Sequence, residues 1–345
     1  MANYDPNERR GKSLDEIEAE ELAEKKKKFN LFDKFAPKES QGVDPDEIPI
    51  ADQPTLLNFF KFIGRKFNQI LTANIMLVVG NFPIFFFILA MSGYLSDFTT
   101  SPYYTVFAPL RGAMLFNQSP ATSALWTIYS RQADIVVYTT ADYILFGLTA
   151  LLLITWGPVN AGVTYLIRNL FRGKPVMMWQ DFKDTVKRNF RQSLIYGILD
   201  IGIIVLIVYD IVFFWLNYNL NMVMSTLFFS ALTMALLYFF MRPYIYLMIV
   251  TFDLSLFSMF KNALRFTVLG LKRNFMFLLG TVAVFLIEYF LMYAYFPLAV
   301  IVPFVILPSL LVTMGVYAAF PVIKRYMIDP FYEEVDVEED EEEEY

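Results

Sequence analysis

Four ionisable residues stand inside long apolar runs of the sequence: Asp200, Asp210, Arg242 and Glu288. Charge is expensive in such runs, so these residues are the first candidates for ion pairing, proton transfer or cation binding. Asp200 lies six residues from the nearer end of its run and Arg242 seven from the nearer end of the next. At about 1.5 Å per residue both sit roughly 9–10 Å deep on adjacent helices. A structural ion pair, Asp200 with Arg242, is therefore expected. Asp210 and Glu288 have no basic residue at their depth. Each must be protonated, face water or bind a cation. One reading is a proton- or cation-linked carboxylate site shared by the two helices; the other is a pair of neutral acids bonding across helices.

Other chemistry is excluded by what the chain lacks. It has no Cys and no His, so there are no disulfides, thiolate nucleophiles, imidazole bases or Cys/His metal sites. Asp200 and Asp210 are ten residues apart, about 15 Å along a helix, too far to share a proton. No Gly-rich phosphate loop is present. The sequence is read as a non-enzyme with no cofactor, no metal and no nucleic-acid partner.

The elements that would carry these residues follow from composition. Of 345 residues 57% are hydrophobic and only 18% charged, against about 25% charged in soluble domains. Apolar runs fall at 70–95, 143–167, 194–216, 224–249, 274–296 and 298–320. Each exceeds the ~20 residues needed to cross ~30 Å of hydrocarbon. Continuous rather than alternating hydrophobicity excludes a barrel. The predicted fold is an all-α polytopic membrane helix bundle of six transmembrane helices over 56–328, embedded in a lipid bilayer. The last two spans are expected to form a tight hairpin at Pro297. Pro303 and Pro308 mark the sixth span as kinked or broken, and Gly157-Pro158 is expected to interrupt the second.

Basic residues cluster on alternate connections: Lys61, Arg65 and Lys66; Arg168 to Arg191; Lys261 to Arg273; Lys324 and Arg325. This predicts a multi-pass membrane protein with both termini cytosolic. The connection 96–142 would then be extracytoplasmic. It is rich in aromatics, Tyr103, Tyr104, Phe107, Trp126 and Tyr129 among them, and is expected to form one or two short helices on the outer interface or over the bundle.

Residues 1–55 form a charged extension, with a capping pattern at Ser13 to Glu16 ahead of Lys25 to Lys28. A solvated tail and an interfacial anchor both fit it. Residues 329–345 form an acidic tail, whose Glu333 to Tyr345 part holds ten acids and no base. Those ten exceed the net charge of −6, so the rest of the chain is net basic. Between them, Trp179, Phe182, Lys183, Lys187, Arg188, Phe190 and Arg191 give a basic amphipathic segment. It is suited to the inner leaflet or to a cytosolic partner. Lys187-Arg188-Asn189-Phe190 recurs as Lys272-Arg273-Asn274-Phe275, a possible parallel repeat.

One block is more specific. It comprises Gly157-Pro158-Val159-Asn160-Ala161-Gly162-Val163-Thr164-Tyr165, Trp179-Gln180-Asp181-Phe182 and Lys187-Arg188-Asn189-Phe190-Arg191-Gln192-Ser193. It resembles the YesL-like family of bacterial integral membrane proteins, a family of unknown function, over roughly 58–328. The resemblance implies an accessory or regulatory role beside a carbohydrate ABC uptake system, with ABC transporter components as partners. The alternative drawn from the residues alone is a small secondary transporter coupled to protons or cations through Asp210 and Glu288.

Overall fold

The computed structural model describes residues 55–330, apart from 103–108, 110–111, 114–115, 117–118 and 130–131. The readings of 1–54, of the acidic tail and of Tyr103, Tyr104 and Phe107 lie outside the described residues.

The elements in chain order are α1 (Leu56–Arg65), α2 (Phe67–Gly80), α3 (Ile84–Met91), β1 (Asp97–Pro102), α4 (Pro120–Tyr129), β2 (Gln132–Val137), α5 (Thr140–Thr149) and α6 (Leu152–Phe171). Then come α7 (Met178–Arg188), α8 (Phe190–Leu216), α9 (Met222–Thr251), α10 (Leu256–Leu269), α11 (Leu271–Ala294), α12 (Phe296–Val305) and α13 (Leu307–Ile323). A π-helical turn, Lys324–Ile328, extends α13.

Five stretches are long and apolar enough to cross a membrane: 140–171, 190–216, 222–251, 271–294 and 307–328. The pair α2 and α3 makes a sixth candidate, bent by 65°. The chain is thus a multi-pass, all-α membrane bundle. Its lipid-side surface is apolar, as Val205, Leu206, Val212 and Leu216 of α8 illustrate, each more than half exposed. The core lies between α2, α6, α9 and α13, around Ile70, Leu166, Ile167, Tyr244, Leu247 and Phe320.

The first span expected over 70–95 breaks at Asn81-Phe82-Pro83, where the ladder gives way to three-residue turns such as Ile84 N–H to the Asn81 carbonyl at 3.0 Å. The second span tightens at Ala150 and Leu151, not at Pro158 as the sequence suggested. Leu151 N–H bonds the Leu148 carbonyl at 3.1 Å and Ile154 N–H bonds that of Leu151 at 3.0 Å. These short bonds absorb the irregularity one to two turns upstream, and α6 runs on through Pro158. It stops at Gly173, whose φ of +70° suits glycine. There Lys174 N–H reaches the Asn169 carbonyl at 3.0 Å and Gly173 N–H that of Leu170 at 3.2 Å, closing the helix end.

The last span is two helices, α12 and α13, with the break at Ile306 (φ −143°). Pro308 cannot supply the N–H that the Phe304 carbonyl needs. Asn74 of α2, fully buried, replaces it. Its Nδ2 donates to Phe304 O at 2.7 Å and its Oδ1 accepts from Ser309 N–H at 3.0 Å. One side-chain amide thus stands in for a missing peptide group, which apolar surroundings demand. Asn74→Leu should cost about 2–4 kcal/mol, since two buried backbone groups lose partners. Thermal unfolding in detergent checks this, and an unchanged midpoint would refute the clamp.

The connection 96–142 is not helical throughout. β1 and β2 pair antiparallel, Asp97 opposite Val137 and Pro102 opposite Gln132, with α4 between them in sequence. The ribbon is anchored at its root by the buried Asp142. Its Oδ2 accepts from Ser96 Oγ at 2.9 Å and Thr139 N–H at 2.8 Å. The connection thus contains a short helix, α4, as expected, and adds a two-stranded ribbon whose backbone groups pair with each other.

Three short helices, α1, α7 and α10, each precede a span leading away from the basic end. The proposed four-residue repeat does not occupy equivalent places in them. Asn189 caps the junction of α7 and α8, whereas Asn274 lies inside α11, buried, where its Oδ1 accepts from Tyr244 OH at 2.9 Å.

Candidate functional site

The largest polar constellation within the spans is built around Asp200. Two sequence features create it. On α9, Tyr238, Arg242 and Tyr246 recur every four residues and so share one face; on α8, Tyr196 and Asp200 do the same. On α6 and α8, Gly157 and Gly197 meet backbone to backbone. A Cβ added at Gly197 would fall 2.5 Å from Gly157 Cα, and one at Gly157 would fall on the Ser193 carbonyl oxygen. Small residues at a crossing let membrane helices approach this closely, and the approach carries Trp156, beside Gly157, onto Asp200.

Asp200 has no solvent exposure. Its Oδ1 accepts from Tyr238 OH at 2.7 Å, and its Oδ2 from Trp156 Nε1 at 2.8 Å and Tyr246 OH at 2.8 Å. Arg242 Nε donates to both oxygens, at 3.1 and 3.0 Å. Among the described residues this is the one ion pair formed. The Arg242 guanidinium also lies 5.3 Å from the Trp156 ring and 5.4 Å from the Tyr246 ring, whose π faces help to hold a desolvated cation. Tyr196 OH is 3.4 Å from Tyr238 OH. A carboxylate offers about four lone-pair sites, and here all are engaged by donors from α6 and α9. The arrangement can fasten α6, α8 and α9 together; it leaves Asp200 no free acceptor for a substrate.

Asp210 and Glu288 are not brought together. α8 packs mainly on α6 and α9, and α11 on α12 and α13, so the shared carboxylate site expected from the sequence does not form. Both residues are half-buried. Glu288 Oε1 is buried with no hydrogen-bond partner among the described residues, as is Thr281 Oγ1, two turns away on the same helix.

The amphipathic segment turns inward. Phe182 and Val186 of α7 press on Gly162 of α6, where an added Cβ would lie 2.7 Å from the Phe182 ring. Thr185 between them is buried. The apolar stripe is therefore spent on the protein rather than on lipid, and Phe190 belongs to α8, 42% exposed. What α7 presents outward is Trp179, Lys183, Lys187 and Arg188, with Lys183 Nζ 5.2 Å over the Trp179 ring. Arg191 is exposed in the first turn of α8.

Trp156, Tyr196, Tyr238 and Tyr246 were not singled out in the sequence, because tyrosine and tryptophan are ordinary in membrane spans. The four-residue spacing around Asp200 and Arg242 was the available signal.

The comparison with known proteins falls on this part of the chain. Residues 136–211 match the family model described as protein of unknown function, DUF624. The matched segment contains Trp156, Gly157, Gly197 and Asp200, together with all of α7, and so covers the α6–α8 half of the constellation but not its α9 half. No curated protein and no solved structure matches the chain.

Proposed function

We propose that this chain is a non-enzymatic accessory or regulatory membrane protein of a carbohydrate ABC uptake system. In this reading it sits in a bacterial cell membrane with its basic end and both termini in the cytosol. The observation that carries it is the pairing-off of polar groups across helices. Asp200, Asn74 and Asn274 each close a network between spans instead of lining a route through them. The groove beside Phe87, Phe146, Thr149 and Ile201, about 330 Å³, is apolar and offers no path for a polar solute. The charge distribution supports the orientation, and the resemblance of the 157–193 block to the YesL-like family supplies the partner.

The test has two arms. Affinity purification of the full chain from its native membrane should bring down ABC permease or ATPase subunits in constant ratio. The purified chain in liposomes should move no sugar, proton or metal cation. Flux without a partner would overturn the reading in favour of a small secondary transporter. Glu288 Oε1, without a hydrogen-bond partner among the described residues, is the observation on that side, and Glu288→Gln would then abolish the flux.

A further inference from the structure

At the basic end, three guanidinium groups gather where α6 meets α7. Arg168 is buried, 7% exposed. Its donors go to neutral oxygens: Nη1 to the Val250 carbonyl and Thr251 Oγ1, both at 2.8 Å, and Nε and Nη2 to Asn169 Oδ1 at 3.3 and 3.1 Å. It therefore caps the C-terminal carbonyls of α9, a favourable place for a cation, but meets no carboxylate among the described residues. Its guanidinium lies 4.7 Å from the Tyr165 ring, and that of Arg188 lies 5.5 Å from the same ring. Arg172, one helical turn beyond Arg168, is the C-terminal cap of α6 and, like Arg188, is exposed. No ion pair joins Arg168, Arg172 or Arg188 to an acid among the described residues; of the acids of α7, Asp181 accepts from Met177 N–H at 3.0 Å and Asp184 is exposed.

Like charges held this close raise one another's energy, and a bound anion relieves it. Guanidinium groups favour the planar, two-point recognition of phosphate. The cluster lies at the end of the candidate span 140–171, where a headgroup layer would begin. On the same end, α10 turns Phe257, Leu264 and Val268 outward beside Lys261 and Arg265, a helix face with apolar and basic residues mixed as at a headgroup boundary. Trp179, 53% exposed, is the residue type enriched there. We propose that Arg172 and Arg188, with the buried Arg168 behind them, bind the phosphate of an anionic phospholipid headgroup at the α6–α7 junction.

The test uses the full-length chain in neutral detergent and follows thermal unfolding with phosphatidylglycerol, phosphatidylcholine or sodium phosphate added. Phosphatidylglycerol should raise Tm by about 3–6 °C over phosphatidylcholine. The double variant Arg172→Gln, Arg188→Gln should lose more than half of that rise, while Lys61→Gln, at an exposed lysine of α1, keeps it. The Tm of each variant in phosphatidylcholine reports folding separately. A rise that survives in the double variant, or that falls equally in Lys61→Gln, overturns the site. Sodium phosphate matching the lipid at equal concentration would make the ligand free phosphate and overturn the lipid assignment. A lipid effect seen only when the ten tail acids are changed to Gln would make the chain's own tail the occupant, and would overturn it too.

Discussion

Asp200→Leu should destabilise the purified protein by about 3–5 kcal/mol, the range for removing one partner of a buried ion pair. The substitution strands Arg242, whose Nη2 already has no partner among the described residues, together with Trp156 Nε1 and the hydroxyls of Tyr238 and Tyr246. The Arg242 side chain is 30% exposed, so part of its charge can reach polar groups, and the loss should fall in the lower half of the range. Arg242→Met leaves the opposite charge buried with three neutral donors still in place, and should cost less. The double variant should be more stable than the sum of the single losses, because neither charge is then left alone. Additive losses in that cycle, read from thermal unfolding in detergent, would show that the pair does not act as a unit.

The second large effect lies one turn away. Gly197→Ala puts a methyl 2.5 Å from the Gly157 backbone. Neither helix can yield by turning a side chain, because backbone meets backbone. The two helices must separate, at about 1–3 kcal/mol for an overpacked contact. Separation also draws Trp156 Nε1 away from Asp200, now 2.8 Å apart. In the native chain, Trp156→Phe should cost about 1–3 kcal/mol for a lost bond to a charged acceptor; after Gly197→Ala it should cost little. Equal costs in both backgrounds would mean that the glycine contact does not position the indole.

How far the sequence could be read depends on which solvent term dominated. Length and hydropathy set the spans, because hydrocarbon tolerates little else. Depth along the helix placed Asp200 level with Arg242, and the two are 3.0 Å apart. The same argument could not supply their company. The depth of an ionisable group is written in the chain, but which aromatic hydroxyl turns towards it depends on how closely two helices approach, and that was set by Gly157 meeting Gly197. The orientation of α7 was misjudged for a related reason. A stripe such as Phe182 and Val186 is equally apolar towards lipid or protein, and only Gly162 opposite shows which it meets. Proline was ambiguous as well. Pro308 accompanies a break and Pro158 does not. The difference is external: Asn74 is at hand to complete the open ladder at Ile306, so an interruption there is tolerated.

That divided last span bears on how the end of the chain is held in the bilayer. The ten residues of α12 would cover only about half the hydrocarbon thickness, too little to be retained as an independent stop. Its amide supplement comes from Asn74, more than two hundred residues earlier. The broken segment therefore has its open backbone groups satisfied only where the α2 helix lies against it, and a chain lacking that helix would leave its last span unsealed.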